Sequence, residues 1–155
     1  YTKIRTRPCV EYRQGDISYF LDAANALGIS WHCFADGDEQ GLGDVAKATA
    51  RLPVNAVKRR HLTVLPGGFS IEPYLAANGF LSIYEERASP QKMKKMTAKK
   101  GDAEYIEQIV KCLGDEGKPA AAHAIVAAMR QIGKTSVPRN LQYAVFKAAA
   151  LGGRS

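Results

Sequence analysis

The residues best suited to chemistry stand in the run Trp31-His32-Cys33-Phe34-Ala35-Asp36-Gly37-Asp38-Glu39-Gln40-Gly41. An apolar, strand-like segment delivers two carboxylates, Asp36 and Asp38, into a glycine-flexed turn that precedes a helix. If that strand belongs to an open α/β sheet, its carboxyl end is the edge where ligands bind. Carboxylate oxygens are hard donors that suit Mg²⁺ or Mn²⁺. Asp-Gly is also a strong turn signal, so both aspartates can be read as turn residues. The preceding apolar run is what moves the reading toward a ligand site. The segment opens like an EF-hand loop, but the loop's twelfth position falls on Lys47 rather than a bidentate glutamate, which excludes that form of calcium binding.

Other side chains could serve the same chemistry. Glu72 follows the loop Pro66-Gly67-Gly68-Phe69 and can reach a strand edge, or can act as an acidic partner of a first helical turn. Lys118 precedes Pro119 at a helix opening, and Lys134 lies in a Gly133-Lys134-Thr135 loop. Either lysine could offset charge on a phosphate, or be solvated surface. Gly114-Asp115-Glu116-Gly117-Lys118 is too short between its glycines for a Walker A loop and runs into proline, so nucleotide binding of that kind is rejected. Lys58, Arg59 and Arg60, with Lys92, Lys94, Lys95, Lys99 and Lys100, could track a phosphate backbone or form a solvated face. His32, His61 and His123 lack metal-ligand spacing.

The elements that must position these groups follow from periodicity. A short strand ends at Pro8-Cys9-Val10-Glu11-Tyr12, and Asp16 caps a helix carrying Ile17, Phe20, Leu21, Ala24 and Leu27, stopped at Gly28. Ile29–Ala35 reads as a buried strand, Gly41–Leu52 as a helix, and His61–Leu65 as a second buried strand. Strand, helix, strand, helix is the order of βαβ units with a parallel sheet. Residues 88–101 read as a lysine-rich exposed connection with one helical turn. Helices are expected over Ala103–Leu113 behind an Asp102 cap, from Pro119 to Ile132, and from Pro138 to Leu151. The expected organisation is an α/β core over 1–87, a basic connection over 88–101, and a helical part of the same domain over 102–155.

Composition narrows the classes. The 155 residues are 46% hydrophobic and 24% charged, ordinary for a soluble globular domain. No apolar run approaches a membrane span, and no signal peptide is evident. Three cysteines without CxxC spacing argue against a disulfide framework or a zinc site and suit reduced thiols in a cytoplasmic protein. Twenty-two basic against 15 acidic side chains, a net charge of +7, favour polyanions, nucleic acid above all.

Four ordered segments resemble the Toprim domain of overcoming-lysogenization-defect (OLD) family nucleases. They are Leu27-Gly28-Ile29-Ser30-Trp31 leading into Ala35–Gly41; Leu65-Pro66-Gly67-Gly68-Phe69-Ser70-Ile71-Glu72-Pro73-Tyr74-Leu75; Lys118-Pro119-Ala120-Ala121-Ala122; and Val137-Pro138. The resemblance covers roughly Cys9 to Leu151. It implies a Toprim-like parallel sheet flanked by helices, with a helical C-terminal extension. It also implies hydrolysis of DNA phosphodiesters with Mg²⁺ or Mn²⁺. Asp36, Asp38 and Glu72 would be metal ligands, and Lys118, or less directly Lys134, would neutralise charge on the scissile phosphate. DNA would be the partner, met by Lys58, Arg59, Arg60, Lys94, Lys95 and Lys134, and an ATPase domain would lie on the same longer chain or on a partner subunit. The family's glutamate motif precedes the Asp36 strand, and no match to it stands here. The chain is therefore expected to be the C-terminal part of that domain or a degenerate relative. Two other readings stay open. One is a non-catalytic DNA- or protein-binding module. The other is a small magnesium-dependent phosphatase of haloacid-dehalogenase type, whose Asp-x-Asp is commonly followed by threonine where this chain has Gln40.

Overall fold

The structure, a computed structural model, describes residues 16–114 and 116–151. The expected strand at Pro8–Tyr12, with Cys9, lies outside them. The described residues form two compact units: 16–64 together with 142–151, and 65–114 together with 116–141.

In the first unit, α1 (Ile17–Ala26) starts where Asp16 accepts a hydrogen bond from the Ser18 N–H at 2.9 Å, the expected cap. Ile17 and Leu21 are buried, while Phe20 and Leu27 are exposed. Strands β1 (Cys33–Ala35) and β2 (Leu62–Val64) pair in parallel with Cys33 opposite Leu62 and Ala35 opposite Val64. A parallel pair needs a crossover. Here the connection carries α2 (Glu39–Ala50) and the single turn α3 (Lys58–His61). Ile17, Leu21, Trp31, Cys33, Ala35, Ala48 and Leu62 form the core. Trp31 Nε1–H donates to Asn25 Oδ1 at 2.9 Å, and the Asn25 amide donates to the Arg51 carbonyl at 2.8 Å, joining the ends of α1 and α2.

Strand β1 is shorter than the expected Ile29–Ala35. Gly28, at φ 66°, ends α1, and the Ile29 N–H returns to the Ala24 carbonyl at 2.8 Å. Ile29 therefore belongs to the helix end and is 56% exposed. A sheet ladder begins only after the buried Trp31.

The second unit contains α4 (Ile71–Leu75), a wide turn over Ala76–Phe80, α5 (Leu81–Arg87), α6 (Pro90–Met93), α7 (Tyr105–Lys111) and α8 (Gly117–Ile132). Its core holds Phe80, Tyr84, Ile109, Val110, Ala121 and Ile125. Residues 88–101 include the one helical turn expected, α6. They are also pinned: the Ser89 N–H donates to the Cys112 carbonyl at 3.0 Å, and Gln108 Oε1 accepts from the Thr97 and Ala98 N–H groups at 3.0 and 3.2 Å. Helix α7 starts later than expected because the Asp102 carboxylate accepts from the Lys99 N–H at 2.7 Å, closing a turn rather than capping a helix. Helix α8 begins two residues before Pro119. Helix α9 (Arg139–Leu151) follows Val137-Pro138 as expected.

The α/β class holds in coarse form: the described residues are mostly helical and include a small two-stranded parallel sheet. No helix among the described residues is long and apolar enough to cross a membrane.

Candidate functional site

Parallel pairing sets the carboxyl ends of both strands on one sheet edge. Asp36 follows β1 there and is half-buried, like Asp38. Asp38 is the N-cap of α2: its Oδ1 accepts from the Gly41 N–H at 2.9 Å. The turn is tight for a specific reason. A Cβ on Gly41 would overlap the Asp36 carbonyl oxygen and stand 2.7 Å from the carbonyl carbon, so only glycine lets α2 pass this close to the Asp36 backbone. The turn reading and the ligand reading of Asp38 thus describe the same residue: one carboxylate oxygen caps the helix.

In the second unit Glu72 sits in the first turn of α4 and Lys118 in the first turn of α8. The two side chains form an ion pair at 3.0 Å, 24% and 55% exposed. Tyr84, buried beneath, has its hydroxyl pushed well above the ordinary tyrosine range, first by burial and then by the Glu72 carboxylate. Glu72 and Lys118, 46 positions apart in sequence, are thereby brought together.

The remaining basic residues are surface groups: Lys58, Arg59 and Arg60 on α3, Lys94 and Lys95 just past α6, and Lys134 in a turn after α8. Among the described residues, no group of three or more histidine, cysteine, aspartate or glutamate side chains is placed to hold a metal. A three-carboxylate cage is therefore not formed by them. Two hard carboxylates at a sheet edge still fit magnesium, which is held by one or two carboxylates with water and substrate phosphate completing its shell.

His32 is a polar centre that its sequence context did not reveal. Its Nδ1 lies 2.8 Å from the Arg60 carbonyl and must donate to it. In the neutral ring Nε2 then accepts from the Thr63 hydroxyl at 3.1 Å, and Thr63 Oγ1 accepts from Lys147 Nζ at 3.1 Å. Burial, opposed by the Arg60 carbonyl, and then the charges of Lys147 and His61 hold His32 below the usual histidine range. His61 donates to the Trp31 carbonyl at 2.9 Å and stands edge-on to the Trp31 ring. Both histidines have ring nitrogens engaged by protein groups. Cys33 and Cys112 are free and buried. The Cys33 thiol is pushed up to about 11, by burial and then by Asp44, and is unreactive at neutral pH.

A groove of about 480 Å³ lies between α3 and the later part of α9, lined by Arg59, Arg60, Tyr143, Phe146 and Lys147. The aromatic half of this surface was not singled out from sequence. The spacing of Tyr143, Phe146 and Lys147 on one helical face, with a basic run elsewhere, is the signal that could have found it.

No family model matches the chain, and no solved structure matches it significantly. Among curated proteins, the chain is similar to the uncharacterized protein YbjD of Escherichia coli (strain K12), 28% identical over 136 residues, which cover 86% of this chain and 23% of that protein. The chain spans about a quarter of the length of the curated relative it matches.

Proposed function

We propose that the chain is a Toprim-like domain of a DNA endonuclease that hydrolyses phosphodiesters with Mg²⁺ or Mn²⁺. The observation that carries this reading is the Asp36-Gly37-Asp38 turn at the carboxyl edge of a parallel strand pair, leading directly into α2. Asp36 and Asp38 would hold the metal through hard oxygens, with water and substrate phosphate completing its shell; Glu72, the further ligand that the resemblance implies, is paired with Lys118. When bound, the metal polarises a phosphodiester and lowers the pKa of an attacking water. Lys118 offsets negative charge on the phosphate, and its pairing with Glu72 keeps both charged groups compensated in the absence of substrate. Lys58, Arg59, Arg60, Lys94, Lys95 and Lys134 contribute backbone attraction. An ATPase domain, on the same longer chain or on a partner subunit, completes the enzyme, which acts in the cytoplasm.

The test is nicking of supercoiled plasmid in Mn²⁺ by the wild type and by Asp36→Ala/Asp38→Ala. Nicking is expected from the first and not the second, and equal activity in both would sink the assignment. A second reading, a DNA-binding module without catalysis, draws on the use of Asp38 as a helix cap. Salt-sensitive binding with no metal-dependent nicking would favour it. The phosphatase alternative is read out separately, by trapping an aspartyl-phosphate on Asp36.

A further inference from the structure

The groove between α3 and α9 combines two features that nucleic-acid binding needs together. Its rings are exposed, Tyr143 by 56% and Phe146 by 72%, although both are large apolar groups. Its cations are uncompensated: among the described residues no carboxylate lies within ion-pair distance of Arg59, Arg60 or Lys147. Lys147 is held by neutral acceptors, the Leu62 carbonyl at 3.2 Å and the Thr63 hydroxyl at 3.1 Å, so its charge persists in a fixed place. The Arg60 carbonyl is likewise fixed by His32, tying α3 to the strand pair.

From this juxtaposition we infer that the groove binds single-stranded nucleic acid, Tyr143 and Phe146 stacking on unpaired bases while Arg59, Arg60 and Lys147 meet the flanking phosphates. A polymer that carries both anionic phosphates and flat apolar bases matches a surface that carries both cations and rings. A second copy of this chain would bring the same cations onto themselves, and burying them unpaired is costly. A duplex offers phosphates but hides its base faces, so the rings would have no partner. The inference rests on the DNA reading for the class of polymer, but not on metal chemistry.

The experiment is therefore done in EDTA on the full chain. It follows the fluorescence anisotropy of a labelled oligo-dT of about 12 nucleotides, within the range of single-strand site sizes, beside a duplex of equal length. The single strand is expected to bind more tightly. Phe146→Ala and Tyr143→Ala should each weaken it roughly 5- to 150-fold, the equivalent of about 1–3 kcal/mol per stacked base, with circular dichroism unchanged because both side chains are exposed. Phe146→Trp should retain binding. Phe146→Leu, which keeps an apolar side chain but removes the ring, should lose it. Equal or tighter duplex binding, full binding by Phe146→Leu, or a self-associating wild type dissociated by Phe146→Ala would each overturn the proposal. Absence of nicking in Mn²⁺ with intact single-strand binding in EDTA would overturn the nuclease reading alone.

Discussion

Asp38 caps α2 through Oδ1, and the same carboxylate is the one assigned to metal, so two substitutions separate the roles. Asparagine caps a helix about as well as aspartate, but it has no charge for a divalent ion; alanine does neither. Asp38→Ala should cost about 1 kcal/mol in urea denaturation, Asp38→Asn much less, and both should abolish Mn²⁺-dependent nicking. Equal destabilisation by the two would remove the cap account. His32 supports a prediction of a different kind. Its folded-state proton affinity lies below the usual value of 6.5, chiefly through burial, so the unfolded chain takes up the proton first as pH falls. The stability this group contributes is fully present above about pH 6.5 and declines below it, down to the depressed folded value. Denaturation at a series of pH values between roughly 8 and 5 should show that decline in the wild type and a shallower one in His32→Asn, whose amide can still donate to the Arg60 carbonyl.

At the scale of elements, the turn between β1 and α2 depends on Gly41. Its replacement by alanine sets a methyl group against the Asp36 backbone, which no side-chain rotation relieves. Overpacking of this kind costs about 1–3 kcal/mol, and the required shift falls on Asp36 itself. Gly41→Ala should lower the thermal midpoint and reduce nicking together, whereas Gly43→Ala, where a Cβ meets nothing within 4 Å, should leave both intact. A Gly41→Ala variant as stable and active as the wild type would show that the turn is slack. The acidic turn was legible in the sequence because its determinants are local: an apolar run, an Asp-Gly-Asp turn, and a cap three residues before the bonded glycine. The Glu72–Lys118 pair was not, since helix openings mark each residue separately and only the fold of the second unit brings the two side chains to 3.0 Å. The same holds for residues 88–101. Their lysines read as solvent-facing, and nothing in their composition reveals that Gln108 fixes the backbone at Thr97 and Ala98. Tyr143 and Phe146 carry no distinguishing mark in the sequence, because helical spacing of aromatic residues suits a core as well as a surface, and here the rings are exposed.

For the molecule as a whole, the net charge of +7 guarantees some attraction to any polyanion, so affinity alone cannot distinguish a built surface from a general field. Salt dependence can. Each phosphate neutralised on a single strand contributes about 0.7 to the slope of log affinity against log salt, because one condensed counterion is released with it. Arg59→Gln/Arg60→Gln and Lys94→Gln/Lys95→Gln remove the same charge from the same total, one pair beside the aromatic groove and the other in the second unit. A general field would lower affinity for oligo-dT equally in both. Contact within the groove should flatten the slope by about 1.4 in the arginine double variant and leave it nearly unchanged in the lysine one. On duplex DNA, where the lysines are assigned to backbone attraction, the lysine double variant should instead lose slope, by up to about 1.8 if both meet phosphates. Titration of the four protein–DNA pairs between roughly 50 and 200 mM salt measures these slopes, and identical losses across all four would reduce the basic surface to an undirected field.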